Sequence, residues 1–555
     1  MTVDVPSANI ASYLPLMARS APARPAIIEP DPRVSNGWRT VSFAELDRKS
    51  DAYAAGLIKV GVVRGTRTVM MAPPSLEFFA LVFGLFKVGA VLVLIDPGIA
   101  RHALVSCLTE VRPEAFIGVP RAHVARLLFP RSFRSVRSLV TVGRRFGWGG
   151  HTLAEVERLG EGRSHVMSVP REGETAAILF TSGSTGVPKG VVYTHEMFAA
   201  QVQSIRDTYG ITPGEVDLPT FPLFALFDPA LGMTAVLPKM DFRFPGRADP
   251  AALVDALTTH HCTNMFGSPA LLDNLSRYGA ARGLKLPELR RVLSAGAPVR
   301  TDVLVRMSEL LSPGAQVFTP FGATESLPVA NIGSDEVIGD TARGAAGGRG
   351  VCVGKPVLGS HVRIIRVTEE AIPEWTSDLE LPVGSIGEIT VRGPVVTHEY
   401  FARPEATRLA KIRDGETIVH RMGDVGTFDE QGRLWMCGRK SHRVEARSGV
   451  LFTVPIEETL NVHPAVRRTA LVGVGPRGDQ RPVVLVEREP GLRLADDVLL
   501  AELRDLAAKH EVTRGLETFV AYPGVFPVDT RHNAKIEREA LARWAKSHGY
   551  GDARP

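Results

Sequence analysis

The string ILFTSGSTGVPKG at residues 178–190 decides how the rest of the chain is read. An apolar run enters a loop in which glycine, serine and threonine fill almost every position, and a lysine follows. Such a loop offers backbone N–H groups and hydroxyls to phosphate oxygens, and glycine permits the close approach and positive φ that a Cβ would forbid. Lys189 adds a mobile positive charge. The string is not a Walker A loop, which spaces its glycines differently and places Ser or Thr directly after the lysine, where this chain has Gly190. Residues 191–195, VVYTH, read as a strand leaving the loop.

On either side of this loop, short apolar and β-branched runs (68–71, 91–95, 139–142) alternate with longer helix-period stretches, the rhythm of βα units around a largely parallel sheet. The rhythm resumes with a helix at 251–259, a strand at 263–266, a helix at 269–282 and a strand at 291–294, so two similar α/β halves are expected. Residues 341–350, TARGAAGGRG, hold no large apolar side chain and are expected to form a mobile surface loop. Strands at 387–392 and 432–437 predict a β-rich part. The last hundred or so residues predict a small α+β domain, with strands near 469–474 and 482–487 and a helix over 496–510.

At 555 residues the chain exceeds a single hydrophobic core. Its net charge of +5, from 65 Lys and Arg against 60 Asp and Glu, is a small imbalance for this length, far from the basic stripe of a nucleic-acid binder. Four well-separated cysteines, with no C-x-x-C pair, fit neither a zinc site nor a disulfide framework and suit a reducing compartment. The N-terminus lacks a secretory pattern, so a cytoplasmic location is expected. The most apolar segment, 78–95, is divided by Lys87 into runs too short to span a bilayer, and reads as a buried helix followed by a buried strand.

With the string at 181–190, the chain resembles the adenylate-forming superfamily of acyl-CoA synthetases, firefly-type luciferases and adenylation domains. TPFGATE at 319–325 resembles its second signature, which follows a strand and opens a helix; SAGAP at 294–298 resembles its adenine loop, MGD at 422–424 its ribose motif and Gly438-Arg439 the start of its hinge. Ser441 departs from the usual hinge pivot, and RHNAKI at 531–536 matches the C-terminal lysine motif with Ala534 in place of glycine. Each fragment alone has an ordinary reading: a βα turn, a turn at Gly423-Asp424, a first-turn acid at Glu325, a surface lysine at 535. Their order along one chain is what the resemblance rests on.

The resemblance implies an α/β fold: a large N-terminal domain (1–437) of two α/β subdomains plus a β-rich subdomain, a hinge at 438–443, and a small mobile α+β C-terminal domain (444–555). It implies ATP and Mg²⁺. ATP contacts would come from Thr181, Ser182, Gly183, Ser184, Thr185, Gly186 and Lys189, from Gly296, Ala297 and Pro298, from Phe321, Gly322, Ala323 and Thr324, and from Asp424, Arg439 and Lys535. Glu325 and Thr185 would hold the metal, a hard cation that prefers oxygen. Lys535, Thr185, Glu325 and Lys189 would be catalytic, neutralising charge while a carboxylate attacks the α-phosphorus of ATP.

The second half-reaction is read from departures. PLFA at 222–225 stands where acyl-CoA synthetases often have PLFH, and the run 445–455 is one residue longer between Gly449 and Pro455 than the segment that faces the thiol route. FPLFALF at 221–227, FGATESLPV at 321–329, MCGRKSHRV at 436–444 and RHNAKI at 531–536 resemble the β-lactone synthetases of bacterial long-chain olefin biosynthesis. That resemblance implies a long-chain 2-alkyl-3-hydroxy acid as substrate, acyl contacts from His195, Phe224, Ala225 and Phe227, no nucleic acid and no transmembrane segment, and it leaves room for a complex with other olefin-pathway enzymes. His195 reads equally as a structural histidine, and a medium- or long-chain fatty acyl-CoA ligase is the alternative activity.

Overall fold

The computed structural model describes residues 9–31, 33–34, 37–96, 99–162, 167–181, 188–492, 494–528 and 535–550. The segment 78–95 supplies its most buried helix, Leu76–Val88, and the strand Val91–Ile95. Ser75 caps the helix by accepting from the Phe78 N–H, and Gly89 ends it in a left-handed conformation. Lys87, 2% exposed, places its ammonium 2.5 Å from Asp47 and 2.6 Å from Asp51 on the neighbouring helix Phe43–Lys59, so the one charge in this apolar segment is paired where it is buried.

Val91–Ile95 lies within a seven-stranded sheet in the order His151–Thr152, Ser138–Thr141, Ala115–Gly118, Arg67–Met71, Val91–Ile95, Thr175–Thr181, Lys189–Thr194. All its pairings are parallel except the last. A second seven-stranded sheet repeats the plan: Gln316–Phe318, Arg291–Leu293, Asn264–Phe266, Val216–Pro219, Thr234–Val236 and Pro25–Pro30 run parallel, and Trp38–Ser42 closes the edge antiparallel. These are the two expected α/β halves. In parallel sheets ligands gather at the carboxyl ends of the strands, where Thr181 and Leu293 both lead into the loops singled out above.

An antiparallel eight-stranded sheet supplies the β-rich part, with Leu434–Arg439 and Gly387–Arg392 flanking the long strand Thr417–Phe428. After it come the hairpin Val444–Ala446 and Gly449–Leu451, then a three-stranded sheet of Val466–Val474, Arg481–Arg488 and Phe519–Ala521 with the helices Thr453–Leu460, Asp496–Ala508 and Arg538–Ser547.

Two expectations are overturned. TPFGATE does follow a strand, but it opens a hairpin rather than a helix: Phe321–Ala323 pairs with Ser326–Asn331, Phe321 opposite Ala330 and Ala323 opposite Ser326. Pro328, three residues beyond Glu325, lacks the N–H that a helix interior requires. Residues 341–350 are not a loop; consecutive helical turns run from Ser334 to Arg349, with a kink at Gly348, whose φ of 90° is left-handed. Small residues are what let this helix lie flat against the β-rich sheet. A Cβ on Gly344 would stand 2.5 Å from the Trp435 ring, and Arg433 holds the same helix by ion pairs to Asp340 (2.6 Å) and Glu336 (3.4 Å).

Candidate active site

The three sheets and the C-terminal segment enclose a cleft of about 2180 Å³. One corner of it begins at the strand Thr175–Thr181. Ser182, Gly183, Ser184, Thr185 and Gly186 lie outside the described residues, as does the side chain of Thr181. The chain is described again as Lys189–Thr194, antiparallel to the first strand with Thr181 opposite Lys189 and Phe180 opposite Gly190. Gly190 is fixed by this pairing, because a Cβ there would meet the Phe180 ring at 2.8 Å.

Lys189 lines the cleft, with its ammonium 5.0 Å above the ring of Tyr400. Tyr400 is held by an N–H···O bond from Phe401 to Gly190 (2.7 Å) and by a backbone bridge to Val191. Its hydroxyl donates to Glu325 Oε1 at 2.6 Å. Burial and the Glu325 carboxylate both push the phenol above its ordinary pKa, so it remains a donor. The Glu325 carbonyl accepts from the Thr397 N–H (2.9 Å) and hydroxyl (3.1 Å). Behind Thr397 sits Lys411, which donates to the Thr397 carbonyl and, at 3.1 Å, to its hydroxyl oxygen. Burial pushes the Lys411 ammonium down to about 7, opposed by the Glu325 charge. His420, opposite Lys411 in the hairpin, lines the cleft; burial and then the Lys411 charge hold it neutral.

Sequence reading missed Tyr400, Thr397, Lys411 and His420. Their signal is a lysine and a histidine placed opposite one another in a hairpin whose next pair, Ile412 opposite Val419 on the other face, is apolar and buried.

Gly296, Ala297 and Pro298 line the same cleft, as do Phe321, Gly322, Ala323 and Thr324. The Ser294 N–H is bound to the Phe318 carbonyl at 2.9 Å, and Tyr193 donates its hydroxyl to the Thr324 carbonyl, so both stretches are anchored. Asp424 and Arg439 are cross-strand partners, with Arg439 Nε 3.1 Å from Asp424 Oδ1. Asp424 is 5% exposed; burial pushes its pKa up, and the charges of Arg439 and Lys535 oppose that shift. Lys535 thus stands within electrostatic reach of Asp424 and lines the same cleft, whereas Arg531, His532, Asn533 and Ala534 lie outside the described residues. Three residues on, Arg538 is gripped by both oxygens of the buried Glu457, with Nη2 2.7 Å from Oε2.

The remaining wall is apolar. Phe224 stacks on Phe266 with ring centres 4.1 Å apart, and Phe227 faces Phe198 at 6.4 Å; Phe83, Phe86, Leu92 and Leu179 continue the surface. Two expected acyl contacts are absent from it. Ala225 is fully buried, but on the core side of the turn Pro222–Ala225. His195 opens the helix His195–Tyr209 and sits one layer behind, its ring edge-on to Phe86 at 5.8 Å. Burial pushes it down to about 4, which leaves it a neutral ring in the core at neutral pH.

The cleft brings a buried carboxylate, two lysines and an apolar wall together, and the sequence comparison decides which family it belongs to. A model of the family described as AMP-binding enzyme matches residues 16–401. The chain belongs to the AMP-binding enzyme family. The chain is 52% identical to the olefin β-lactone synthetase of Xanthomonas campestris pv. campestris, over 97% of each chain. It is 51% identical to the olefin β-lactone synthetase of Stenotrophomonas maltophilia, over 97% of this chain and 98% of that one. This AMP-binding enzyme also shares its fold with the amide bond synthetase McbA from Marinactinospora thermotolerans, at a TM-score of 0.78 and 23% identity, covering 96% and 99% of the two chains. No helix among the described residues is long and apolar enough to cross a membrane.

Proposed function

We propose that this AMP-binding enzyme joins a long-chain 2-alkyl-3-hydroxy acid to AMP and then closes it to a β-lactone in the cytoplasm. The observation that carries the reading is one cleft in which an apolar, phenylalanine-rich chamber opens onto the corner of Lys189, Tyr400 and Glu325, in a chain whose relatives at 52% and 51% identity are both named olefin β-lactone synthetases.

In the first step a carboxylate oxygen of the acid attacks the α-phosphorus, and pyrophosphate leaves with the electrons of the broken P–O bond. Gly296, Ala297, Pro298 and Phe321 bound the adenine, and Asp424 with Arg439 meets the ribose hydroxyls. Lys189 and the hydroxyls of Ser184 and Thr185 meet the outer phosphates; Lys535 offsets charge developing at the α-phosphate. Glu325, whose Oε1 accepts from the Tyr400 hydroxyl, would hold Mg²⁺ with Thr185, since a hard cation prefers oxygen donors. When bound, that ion supplies charge neutralisation to the leaving pyrophosphate.

In the second step the substrate's own β-hydroxyl oxygen attacks the acyl carbon, AMP leaves with the former carboxylate oxygen, and the hydroxyl proton passes to AMP or solvent. Tethering gives this hydroxyl a high effective concentration. Residues 438–443 act as a hinge between a large N-terminal domain and a mobile C-terminal one carrying Lys535. Assembly with other olefin-pathway enzymes belongs to the same reading.

Mass spectrometry of products from ATP, Mg²⁺ and a 2-alkyl-3-hydroxyalkanoic acid, with and without CoA, tests it. A β-lactone with AMP and pyrophosphate, independent of CoA, is expected. Acyl-CoA as the only product would assign a fatty acyl-CoA ligase instead.

A further inference from the structure

Residues 119–150 contain seven arginines and no acidic residue, in a chain whose whole net charge is only +5. The rest of the molecule is therefore slightly acidic, and the basic character is concentrated in one place. This segment forms the helix Pro120–Leu128, the turn Pro130–Phe133, the strand Ser138–Thr141 and a loop that enters the edge strand His151–Thr152 of the first sheet. The loop is fastened to the helix. Trp148 stacks on His123 with ring centres 5.2 Å apart and planes 7° from parallel, and donates its indole N–H to Thr141 at 2.9 Å.

Arg121, Arg131, Arg134 and Arg137 are exposed, and among the described residues none of them has an ion-pair partner. Along the same segment apolar side chains face solvent: Leu127 is 54% exposed, Leu128 70% and Phe146 54%. An ordinary solvated face mixes both signs of charge and turns its leucines inward. A nucleic-acid face would use the arginines and have no need of exposed leucines. Unopposed cations interleaved with protruding aliphatic and aromatic side chains match the headgroup–acyl boundary of an anionic bilayer, where the first meet lipid phosphate and the second enter the boundary.

We infer that the surface of residues 119–150 docks this enzyme peripherally on an anionic lipid bilayer. The inference stands whichever acid the enzyme activates. Each arginine brought to such a surface strengthens partitioning by roughly fivefold, and added salt weakens it because the charges are exposed.

Co-sedimentation of the full-length protein with vesicles of equimolar phosphatidylcholine and phosphatidylglycerol, against vesicles of phosphatidylcholine alone, tests the inference. Binding to the anionic vesicles only, reversed by salt, is expected. Arg131→Glu with Arg134→Glu should lower that partitioning by roughly tenfold or more, and Leu127→Gln with Leu128→Gln should also lower it at unchanged net charge. Both double variants should retain wild-type pyrophosphate release from a short soluble acid, which shows them folded. Failure of the wild type to bind anionic vesicles, or binding that both double variants keep in full, would overturn the inference; so would retention of the patch's arginines for nucleic acid or a soluble protein with no affinity for the vesicles.

Discussion

Tyr400 and Asp228 show what single buried polar groups do here. Tyr400 gives Glu325 its only described side-chain donor, so Tyr400→Phe removes one hydrogen bond without emptying the space. Losing a bond to a charged acceptor costs about 1.5–3 kcal/mol, so kcat for pyrophosphate release should fall roughly ten- to a hundredfold while the protein's melting temperature holds. An unchanged kcat would deny Glu325 its proposed role. Asp217 and Asp228 form a second buried pair, hydrogen-bonded to each other and 7% and 4% exposed, with Asp228 Oδ2 lacking a partner among the described residues. Burial pushes both carboxyls up, Asp217 to about 7; the Asp217 charge raises Asp228 further, whereas the hydrogen bond from Asp228 partly offsets the rise at Asp217. The unfolded chain releases these protons near the ordinary value of 3.8, so the stability each contributes is fully present below that pH and is lost as pH rises through its folded value, about 7 for Asp217. Asp228→Asn removes one of the two titrations. Its melting temperature should fall less steeply than the wild type's across that window, and parallel curves would contradict the shared-proton pair.

Among the elements, the helix from Ser334 to Arg349 is the most instructive, because Gly344 stands where a side chain would collide with Trp435. Gly344→Leu should destabilise the protein by about 1–3 kcal/mol through overpacking, read as a lower midpoint in urea unfolding. An unchanged midpoint would mean that the helix does not depend on this contact. The same helix shows where the sequence is hard to read. Its small residues look like a loop because the apolar partner, Trp435, is remote in sequence, whereas 78–95 is legible because its own side chains carry the burial. The parallel sheets were legible from their period, and the residues of 294–298 and 319–325 that line the cleft from strings that are contiguous in the chain. Tyr400, Thr397 and Lys411 were not legible, since they gather on Glu325 only after the β-rich sheet folds back onto the strand at Gly190. The acyl contacts fared unevenly: Phe224 and Phe227 face the cleft, but the turn between them carries Ala225 inward, and a helix start carries His195 behind Phe86.

At the scale of the whole molecule, the cleft is closed by residues from opposite ends of the chain, with Lys189 on the first sheet and Lys535 in the C-terminal segment. Lys535→Ala should therefore slow acyl-AMP formation by orders of magnitude while leaving ATP binding largely intact, because its charge matters most as the transition state develops. Single-turnover kinetics beside equilibrium ATP titration would check this, and a wild-type adenylation rate would contradict it. The central claim is that an acyl-AMP forms and is then closed by the substrate's own hydroxyl, and isotope transfer tests it most directly. A 2-alkyl-3-hydroxy acid carrying heavy oxygen at both carboxylate positions is turned over with ATP in unlabelled water, and both products are weighed. The account predicts one heavy oxygen in the AMP and one in the carbonyl of the β-lactone. Unlabelled AMP, or a lactone that keeps both heavy oxygens, would contradict it.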